Sequence, residues 1–327
     1  MSDTPLLEPT PDRIERIQRM RRGFLDAGAS PVALPDYWRD DEDLEVYDAI
    51  LAQRIGWKWE AVLDDLPTAG DLDEVMTILD WGCGTGVATR RLLRRIRPRR
   101  VYLHDRSERA IRFAARRIGE ESPEVQVESR ADFPGIEPDL LVISHVLNEL
   151  ASADEAELLS AVSQSVRVLW VESGASEVSR RLSRIRDDLL ASHLVLSPCP
   201  HQGRCGAIAS REGHWCHHFA RPPAEVFQSE AWALYARRLK IDLRSLPYHH
   251  LYLLRKDFAT STPAPGQRII GRPELGSKEA RVHLCDEDGL HQLRVFKGRS
   301  PALWKGLKKD LENHRRGPFR REGDRLL

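Results

Sequence analysis

The sequence predicts an α/β fold with a doubly wound, Rossmann-like parallel sheet, preceded by N-terminal helices and followed by a small β appendage. From residue 75 onward, short apolar runs alternate with helical stretches, which is typical of a parallel sheet covered by helices. A glycine-rich loop, LDWGCGTG at residues 79–86, follows the first apolar run and opens a helix. Residues 1–74 lack this alternation, so we expect a separate helical N-terminal region there.

Two helices are predicted in residues 1–74. In PDRIERIQRMRRGFL, Ile14, Ile17 and Leu25 recur at helical intervals, and DLEVYDAILAQRIGWKWEAVLDDL repeats the pattern. Pro31 and Pro35 separate the two stretches, because proline does not continue a helix.

Residues 75–262 carry the predicted sheet, with a cysteine-rich insertion at 197–219. The predicted strands and helices are VMTILDW, VATRRLLRRI, VYLHD, RSERAIRFAARRIG, DLLVISHVLNEL, SADEAELLSAVSQSV, RVLWVES, SEVSRRLSRIRDDLLAS, HLVLS, SEAWALYARRL and YHHLYLLRK. Prolines and a glycine near residue 263 indicate a linker. Residues 263–300 then predict the appendage, in which ARVHLCDEDGLHQLRVF forms a hairpin that turns at Asp288-Gly289. Residues 301–327 form a basic tail with little helical periodicity.

The charge of the chain is zero overall but unevenly distributed. Residues 36–75 carry 13 acids and 3 bases, whereas residues 88–117 carry 12 arginines and 2 acids. Residues 291–327 carry 11 bases and 4 acids. Such asymmetry indicates either a nucleic-acid partner or neutralisation of the basic segment by the acidic one within the molecule.

Two basic stretches are candidates for contacts with RNA phosphates. Arg90, Arg91, Arg94 and Arg95 share one face of the helix after the glycine loop. The alternative is an ordinary solvated helix face. The second stretch is the tail, with Lys305, Lys308, Lys309, Arg315, Arg316, Arg320 and Arg321.

Targeting and membrane signals are not evident in the sequence. The longest apolar runs fall short of 18 residues, and the N-terminus has no apolar run after a basic start. We therefore expect a cytoplasmic protein without a membrane partner, and a monomer. Thiols stay reduced in the cytoplasm, so five cysteines favour metal binding or chemistry over disulfides.

The glycine loop contains Gly82, Gly84 and Gly86, preceded by Asp80 at the predicted strand end. Asp105 ends the next strand, where a carboxylate can accept hydrogen bonds from both hydroxyls of a ribose. This arrangement resembles the first motif of the S-adenosylmethionine-dependent, class I methyltransferases. The resemblance implies that Asp80 faces the methionine end of the cofactor.

By the same resemblance, Asp132 lies near the adenine, and Ser144 and His145 lie at the strand tip where the methyl acceptor approaches. Two alternatives remain open at this point. One is a glycine turn in an unrelated α/β protein, and the other is a dinucleotide-binding enzyme that uses NAD.

Three cysteines, Cys199, Cys205 and Cys216, lie in the insertion, with five and ten residues between them; Cys285 in the appendage is the candidate for a fourth ligand. Four thiolates select zinc, copper(I) or an iron–sulfur cluster. A histidine, His201 or His217, could replace one of them. A nucleophilic cysteine and buried, reduced structural cysteines are the remaining alternatives.

The cysteine motifs resemble one family closely. SPCPHQGRC, WCHHF and VHLCDEDG, together with VLNEL and VESG, are similar to the methyltransferase-like proteins of the mitochondrial small ribosomal subunit and their bacterial relatives. The resemblance covers residues 75–300. It implies that the four cysteines bind a 4Fe–4S cluster and that the protein supports small-subunit assembly by binding ribosomal RNA. The chain departs from the family by the second histidine of WCHHF and by GRCG, which lacks a proline often found after the second cysteine.

We therefore expect a factor that binds S-adenosylmethionine and an iron–sulfur cluster and acts on the small ribosomal subunit, with rRNA methylation as a further activity. The alternatives are an active RNA methyltransferase with a structural zinc site and a non-catalytic RNA-binding module. The sequence lacks the Asn-Pro-Pro-Tyr motif for amine methylation. It therefore identifies no catalytic residue.

Overall fold

A computed structural model describes residues 5–27, 37–66, 72–129, 137–210, 213–309, 311 and 315–327. The described elements, in chain order, are α1 (Pro11–Ala27), α2 (Asp41–Asp65), β1 (Thr77–Trp81), α3 (Val87–Leu92), β2 (Arg100–His104), α4 (Glu108–Glu121), β3 (Gln126–Ser129), β4 (Leu140–Ser144), α5 (Ser152–Gln164), β5 (Arg167–Ser173), α6 (Ser176–Leu189), β6 (His193–Ser197), α7 (Gly206–Ala209), β7 (His218–Ala220), α8 (Glu230–Leu239), β8 (Leu246–Arg255), β9 (Arg268–Leu275), β10 (Glu279–Asp286), β11 (Gly289–Phe296), α9 (Pro301–Lys309), β12 (Arg321–Glu322) and β13 (Arg325–Leu326).

The chain divides into two compact units. The first comprises Met1–Glu172 and Ala220–Leu246, and the second comprises Ser173–Phe219 and Pro247–Leu327. The sequence analysis divided the chain by composition and periodicity into residues 1–74, 75–262, 263–300 and 301–327. These boundaries stay a prediction.

The first unit contains a parallel sheet in the order β3-β2-β1-β4-β5. β1 and β4 are almost wholly buried, because apolar residues occupy both faces of these central strands. The chain winds outward from β1 to β3 and then returns to β4, so the strand order reverses between β1 and β4. Such a switch point leaves a crevice at the carboxyl ends of the strands, which is where α/β proteins bind ligands. The predicted doubly wound α/β fold is confirmed.

The predicted N-terminal helices are also confirmed in the first unit. The N-cap residue Asp40 accepts a hydrogen bond from the amide of Asp43 and opens α2. Arg16 of α1 pairs with both of these carboxylates, at 2.9 and 2.8 Å. This network joins α1 to the start of α2.

The Arg-rich helix is neutralised inside the first unit. Arg90 and Arg91 are each only 4% exposed. Arg90 donates to Asp48 of α2 at 2.8 Å and to Glu121 of α4 at 2.7 Å. Arg91 donates to Gln53 at 3.0 Å. A phosphate-binding face that includes Arg90 and Arg91 is therefore wrong, because the acidic segment binds both guanidinium groups.

The other two arginines of that face make surface pairs. Arg94 and Arg95 both donate to Glu60, at 3.3 Å, and Arg95 also pairs with Asp64 at 2.7 Å. Internal neutralisation thus accounts for the opposite charges of residues 36–75 and 88–117.

The second unit contains two sets of strands. β6 and β8 pair antiparallel, and β7 pairs with β8. A separate five-stranded sheet has the order β12-β13-β11-β10-β9. The predicted hairpin is confirmed, but it turns at Glu287-Asp288 rather than at Asp288-Gly289, because Gly289 already belongs to β11 and pairs with Asp286 of β10. Along these strands alternate residues are buried, so that one face forms a small core.

The basic tail is more structured than its sequence suggests. α9, β12 and β13 all lie in it, and Leu307 and Leu326 belong to the core of the five-stranded sheet. Arg315 is only 1% exposed and is therefore not a surface cation. Lys305, Lys308 and Lys309 are exposed. Within the described residues, no helix has the length and apolarity that a membrane span requires.

We expect Asp48→Ala to destabilise the protein strongly. The substitution leaves the buried Arg90 without its bidentate partner, which costs about 3 kcal/mol in the free energy of unfolding. Urea unfolding measures this loss. The matched control is Asp64→Ala, which removes an exposed pair and should cost less than about 1 kcal/mol. Equal losses for the two variants would contradict the structural role of Arg90.

Candidate functional site

The glycine loop between β1 and α3 requires glycine for different reasons at its three positions. Gly82, Gly84 and Gly86 all have positive φ, at 71°, 53° and 73°. A Cβ on Gly82 would lie 2.6 Å from the side chain of Val146, and one on Gly86 would lie 3.0 Å from Ala114. At Gly84 the equivalent position is open. Gly82 and Gly86 thus allow close packing, whereas Gly84 leaves backbone accessible to a ligand.

Asp105, at the end of β2, orients the same loop. Its carboxylate accepts hydrogen bonds from the amides of Gly84 and Ser107, both at 2.9 Å. Burial raises the pKa of Asp105, while these two hydrogen bonds lower it. The acid after β2 therefore holds the backbone of the glycine loop.

A cavity of about 790 Å³ lies at the carboxyl ends of the strands in the first unit. This volume is within the range of small-molecule sites. Gly82, Gly84, Asp105 and Ser144, four of the predicted cofactor-binding residues, line it. The lining also includes aromatic and acidic side chains that the sequence did not indicate: Tyr37, Trp38, Tyr47, Glu108, Glu149, Asp154 and Glu157.

Of the other predicted cofactor-binding residues, the two that the structure describes, Gly86 and Asp80, are outside the cavity lining. Gly86 packs against α4 and is outside the described cavity lining. Asp132 falls outside the described residues. Asp80 is fully buried and accepts a hydrogen bond from the hydroxyl of Thr89 at 2.7 Å. Its Oδ1 has no hydrogen-bond partner in the described part of the chain, and burial raises its pKa to about 7.

A hydrogen-bonded chain of polar side chains lies at the end of β4, and the sequence did not indicate that Lys58 and Trp59 of α2 belong to it. Lys58 Nζ lies 3.0 Å from His145 Nε2, and Ser144 Oγ lies 3.4 Å from His145 Nδ1. Trp59 Nε1 donates to Ser144 Oγ at 2.9 Å. Burial lowers the pKa of Lys58 to about 7 and that of His145 well below its usual value. In the sequence, the one feature that distinguishes Lys58 is its position between two tryptophans in an acidic helix.

Glu172, at the end of β5, supports the loop after β4. It accepts hydrogen bonds from the amides of Val146 and Leu147 at 3.0 and 3.2 Å, and from Trp170 Nε1 at 2.9 Å. Burial raises the pKa of Glu172 to about 7. Because three groups donate to this one buried carboxyl, the backbone of His145 and Val146 is held in place beside the cavity.

The second unit brings four cysteines together. Cys199, Cys205, Cys216 and Cys285 all line one small cavity of about 20 Å³. They come from the segment after β6, the start of α7, the approach to β7 and the strand β10. All are free thiols. The fifth cysteine, Cys83, is buried in the glycine loop of the first unit, consistent with a packing role.

Buried positive charges accompany the thiols. Arg186 and Arg268, each at most 3% exposed, line the same cavity. Arg186 donates to the carbonyls of His201, at 2.9 Å, and of Gly203. The carboxylate of Asp187 accepts from the amide of Cys205 at 3.0 Å. These bonds fix the loop on which Cys205 lies.

Burial and mutual repulsion make it unfavourable for several of these thiols to be deprotonated at the same time. Burial, with the neighbouring Cys199, Cys205 and Cys285 as secondary causes, raises the pKa of Cys216 well above its usual value. Burial and the same kind of repulsion raise the pKa of Cys285. The four cysteines that line this cavity supply the thiolate donors that a 4Fe–4S cluster or zinc takes.

Three solved structures that are similar to this chain have low sequence identity to it. Magnesium protoporphyrin IX methyltransferase (ChlM) from Synechocystis PCC 6803 is 12% identical over 74% of this chain and 97% of its own, with a TM-score of 0.38. The dimethyltransferase RosA from Streptomyces davawensis is 19% identical over 57% and 63%, with a TM-score of 0.37. TrmK from M. capricolum, solved with S-adenosyl-homocysteine, is 9% identical over 61% and 67%, with a TM-score of 0.35.

Comparison with curated proteins finds no match. The sequence itself matches one family profile, described as mitochondrial small ribosomal subunit Rsm22, over residues 48–312. The match includes the glycine loop, the cavity residues of β4 and all four clustered cysteines. The chain therefore belongs to the Rsm22 family.

Proposed function

We propose that this chain binds S-adenosylmethionine in the first unit and a 4Fe–4S cluster in the second, and that it acts on the small ribosomal subunit by binding its RNA. The observation that carries the proposal is the convergence of four cysteines in one cavity of a chain from the Rsm22 family. The family description supports the ribosomal partner.

The charge of the cavity in the first unit favours S-adenosylmethionine over NAD. Its lining contains five acids, Asp105, Glu108, Glu149, Asp154 and Glu157, against the two arginines Arg106 and Arg112. S-adenosylmethionine carries an ammonium, a sulfonium and one carboxylate and is cationic overall, whereas NAD carries an anionic pyrophosphate and is anionic overall. Acidic walls therefore favour the former ligand.

The residues of this cavity have distinct roles in the proposed complex. Gly84 offers accessible backbone, and Asp105 accepts from the ribose hydroxyls. When bound, the cofactor supplies an electrophilic methyl group. The aromatic rings of Tyr37, Trp38 and Tyr47 give the cavity an apolar wall that excludes water.

RNA binding is assigned to exposed cations of the second unit. Lys297 and Lys308 lie 5.0 and 5.4 Å from the ring of Trp304 and keep their ammonium groups near an aromatic surface. Lys305 and Lys309 of α9 are exposed beside them. These lysines form a basic patch suited to phosphates, with one aromatic side chain for base contact.

A second candidate function is active methyl transfer to RNA. The Lys58–His145 pair favours it, because His145 lines the cavity and contacts an amine whose pKa burial lowers to about 7. Such a pair can accept a proton from a methyl acceptor. Label transfer from S-adenosylmethionine to small subunits, with and without this protein, distinguishes transfer from binding alone.

We expect Asp105→Ala to weaken S-adenosylmethionine binding. The variant loses two acceptor bonds to the ribose, about 2 kcal/mol in binding free energy or roughly 30-fold in Kd. Calorimetry measures the change, and Asp105→Asn, which keeps one oxygen acceptor, should lose less. Equal affinity in all three proteins would refute the assignment, and tight NAD binding would replace it.

We expect anaerobically purified protein to contain four irons and four sulfides per chain, the content of one 4Fe–4S cluster. Cys285→Ser should lose most of this iron, while the matched variant Cys83→Ser should keep it, because Cys83 lies in the glycine loop. Metal analysis and visible absorption measure the content. Stoichiometric zinc without iron would refute the cluster but not the ligands.

We expect RNA affinity to fall steeply with salt and to depend on the basic patch. Deletion of the tail would remove Leu307 and Leu326 from a core, so substitution is the cleaner test. Replacing Lys305, Lys308 and Lys309 by glutamine should reduce the slope of log K against log salt by about 0.7–0.9 per lost phosphate contact. A small-subunit RNA fragment serves as the ligand.

The matched control replaces three exposed cations of the first unit, Arg237, Arg238 and Lys240, by glutamine. This variant should keep the wild-type slope, since it removes equal charge from another surface. Identical slopes for wild type and the Lys305/Lys308/Lys309 variant would mean that the basic patch does not contact RNA.

A further inference from the structure

Two buried histidines of the second unit contact cysteine sulfurs. His201 Nε2 lies 3.5 Å from Cys285 Sγ, and His218 Nε2 lies 3.8 Å from Cys216 Sγ. The two rings are 4% and 0% exposed, so water does not compete for these contacts. Whether each contact is a hydrogen bond to sulfur depends on which ring nitrogen carries the proton.

The tautomer of His201 is determined by its other nitrogen. The amide of Gly203 donates to His201 Nδ1 at 3.1 Å. An amide N–H can only donate, so Nδ1 carries the lone pair. In a neutral imidazole the proton then lies on Nε2, the nitrogen that faces Cys285.

The tautomer of His218 is determined in the same way by a different donor. Arg315 Nη1 lies 2.7 Å from His218 Nδ1, and a guanidinium is a donor that does not lose its proton in proteins. Arg315 is itself 1% exposed, so this contact is a buried one. The proton of His218 therefore lies on Nε2, which faces Cys216.

His217, between Cys216 and His218 in the sequence, has the opposite arrangement. Its Nδ1 lies 3.1 Å from the carbonyl oxygen of Trp215, which can only accept. The proton of His217 is therefore on Nδ1. The three histidines thus divide into two with Nε2–H near a sulfur and one with Nδ1–H bonded to backbone.

We propose that His201 and His218 are positioning residues that donate N–H···S hydrogen bonds to Cys285 and Cys216, rather than metal ligands, and that they raise the reduction potential of the group bound by the cysteines. The effect on potential rests on the proposed 4Fe–4S cluster. An N–H donor withdraws negative charge from a thiolate and so stabilises the more reduced, more negative state.

The experiment compares reduction potentials in the iron-loaded, full-length protein. His201→Leu removes one donor and should shift the midpoint to a more negative value, by about 59 mV for a tenfold change in a one-electron equilibrium. His201→Gln retains a side-chain N–H donor and should recover part of the shift. His217→Leu is the matched control and should keep the wild-type midpoint. Iron content is measured first in every variant.

A second measurement tests the hydrogen bonds themselves. ¹⁵N NMR of the histidine-labelled full chain should show Nε2–H for His201 and His218, and Nδ1–H for His217. Protonation of His201 and His218 on Nδ1 would overturn the proposal, as would identical midpoints in fully iron-loaded wild type and His201→Leu. A protein without iron would instead refute the cluster, while the NMR tautomers would still decide the hydrogen bonds.

Discussion

The second unit depends on a close backbone contact between the cysteine segment and the β10–β11 hairpin. A Cβ on Gly206 would lie 2.5 Å from the amide nitrogen of Leu290 and 2.7 Å from the carbonyl carbon of Gly289. Two main-chain hydrogen bonds also join the cysteine segment to β9 and to the residues before it, from the amide of Gly271 to the carbonyl of His217 at 2.8 Å and from the amide of Gly266 to the carbonyl of Pro200 at 2.7 Å. Since no side chain fits at position 206, a glycine after the second cysteine is a packing requirement of this chain. The contact also brings Cys285 to the three earlier cysteines.

The first unit is organised around buried charge rather than an exposed basic surface. Arg90 lies between Asp48 of α2 and Glu121 of α4, and it therefore joins three helices through its guanidinium. A buried ion pair contributes little net stability but makes the loss of either partner costly. The same charged residues make one segment of the sequence strongly acidic and another strongly basic. An Arg-rich helix is consequently weak evidence for a nucleic-acid partner until the positions of the acids are known.

The two sites differ in how far they could be predicted. Gly82, Gly84 and Asp105 follow from a strand–loop–helix pattern, because their roles depend on neighbours in adjacent parallel strands. The pairing of Lys58 with His145 carried no comparable signal, since the two residues are 87 positions apart and only the packing of α2 beside β4 brings them to 3.0 Å. For Asp80, the resemblance to methyltransferases implied a place at the methionine end of the cofactor. The structure gives it a buried bond to Thr89.

The sequence by itself determined the α/β class, the glycine loop, the hairpin and the three cysteines of the insertion with Cys285 as the candidate fourth. These features rest on local periodicity, on turn residues and on a scarce residue type, all of which can be counted along the chain. Only the tertiary structure decided which arginines are buried, that the tail contributes to a core, and which ring nitrogens of His201 and His218 face sulfur. Each of these depends on partners distant in sequence, such as Arg315 for His218, and on desolvation that makes a donor or acceptor obligatory once water is excluded.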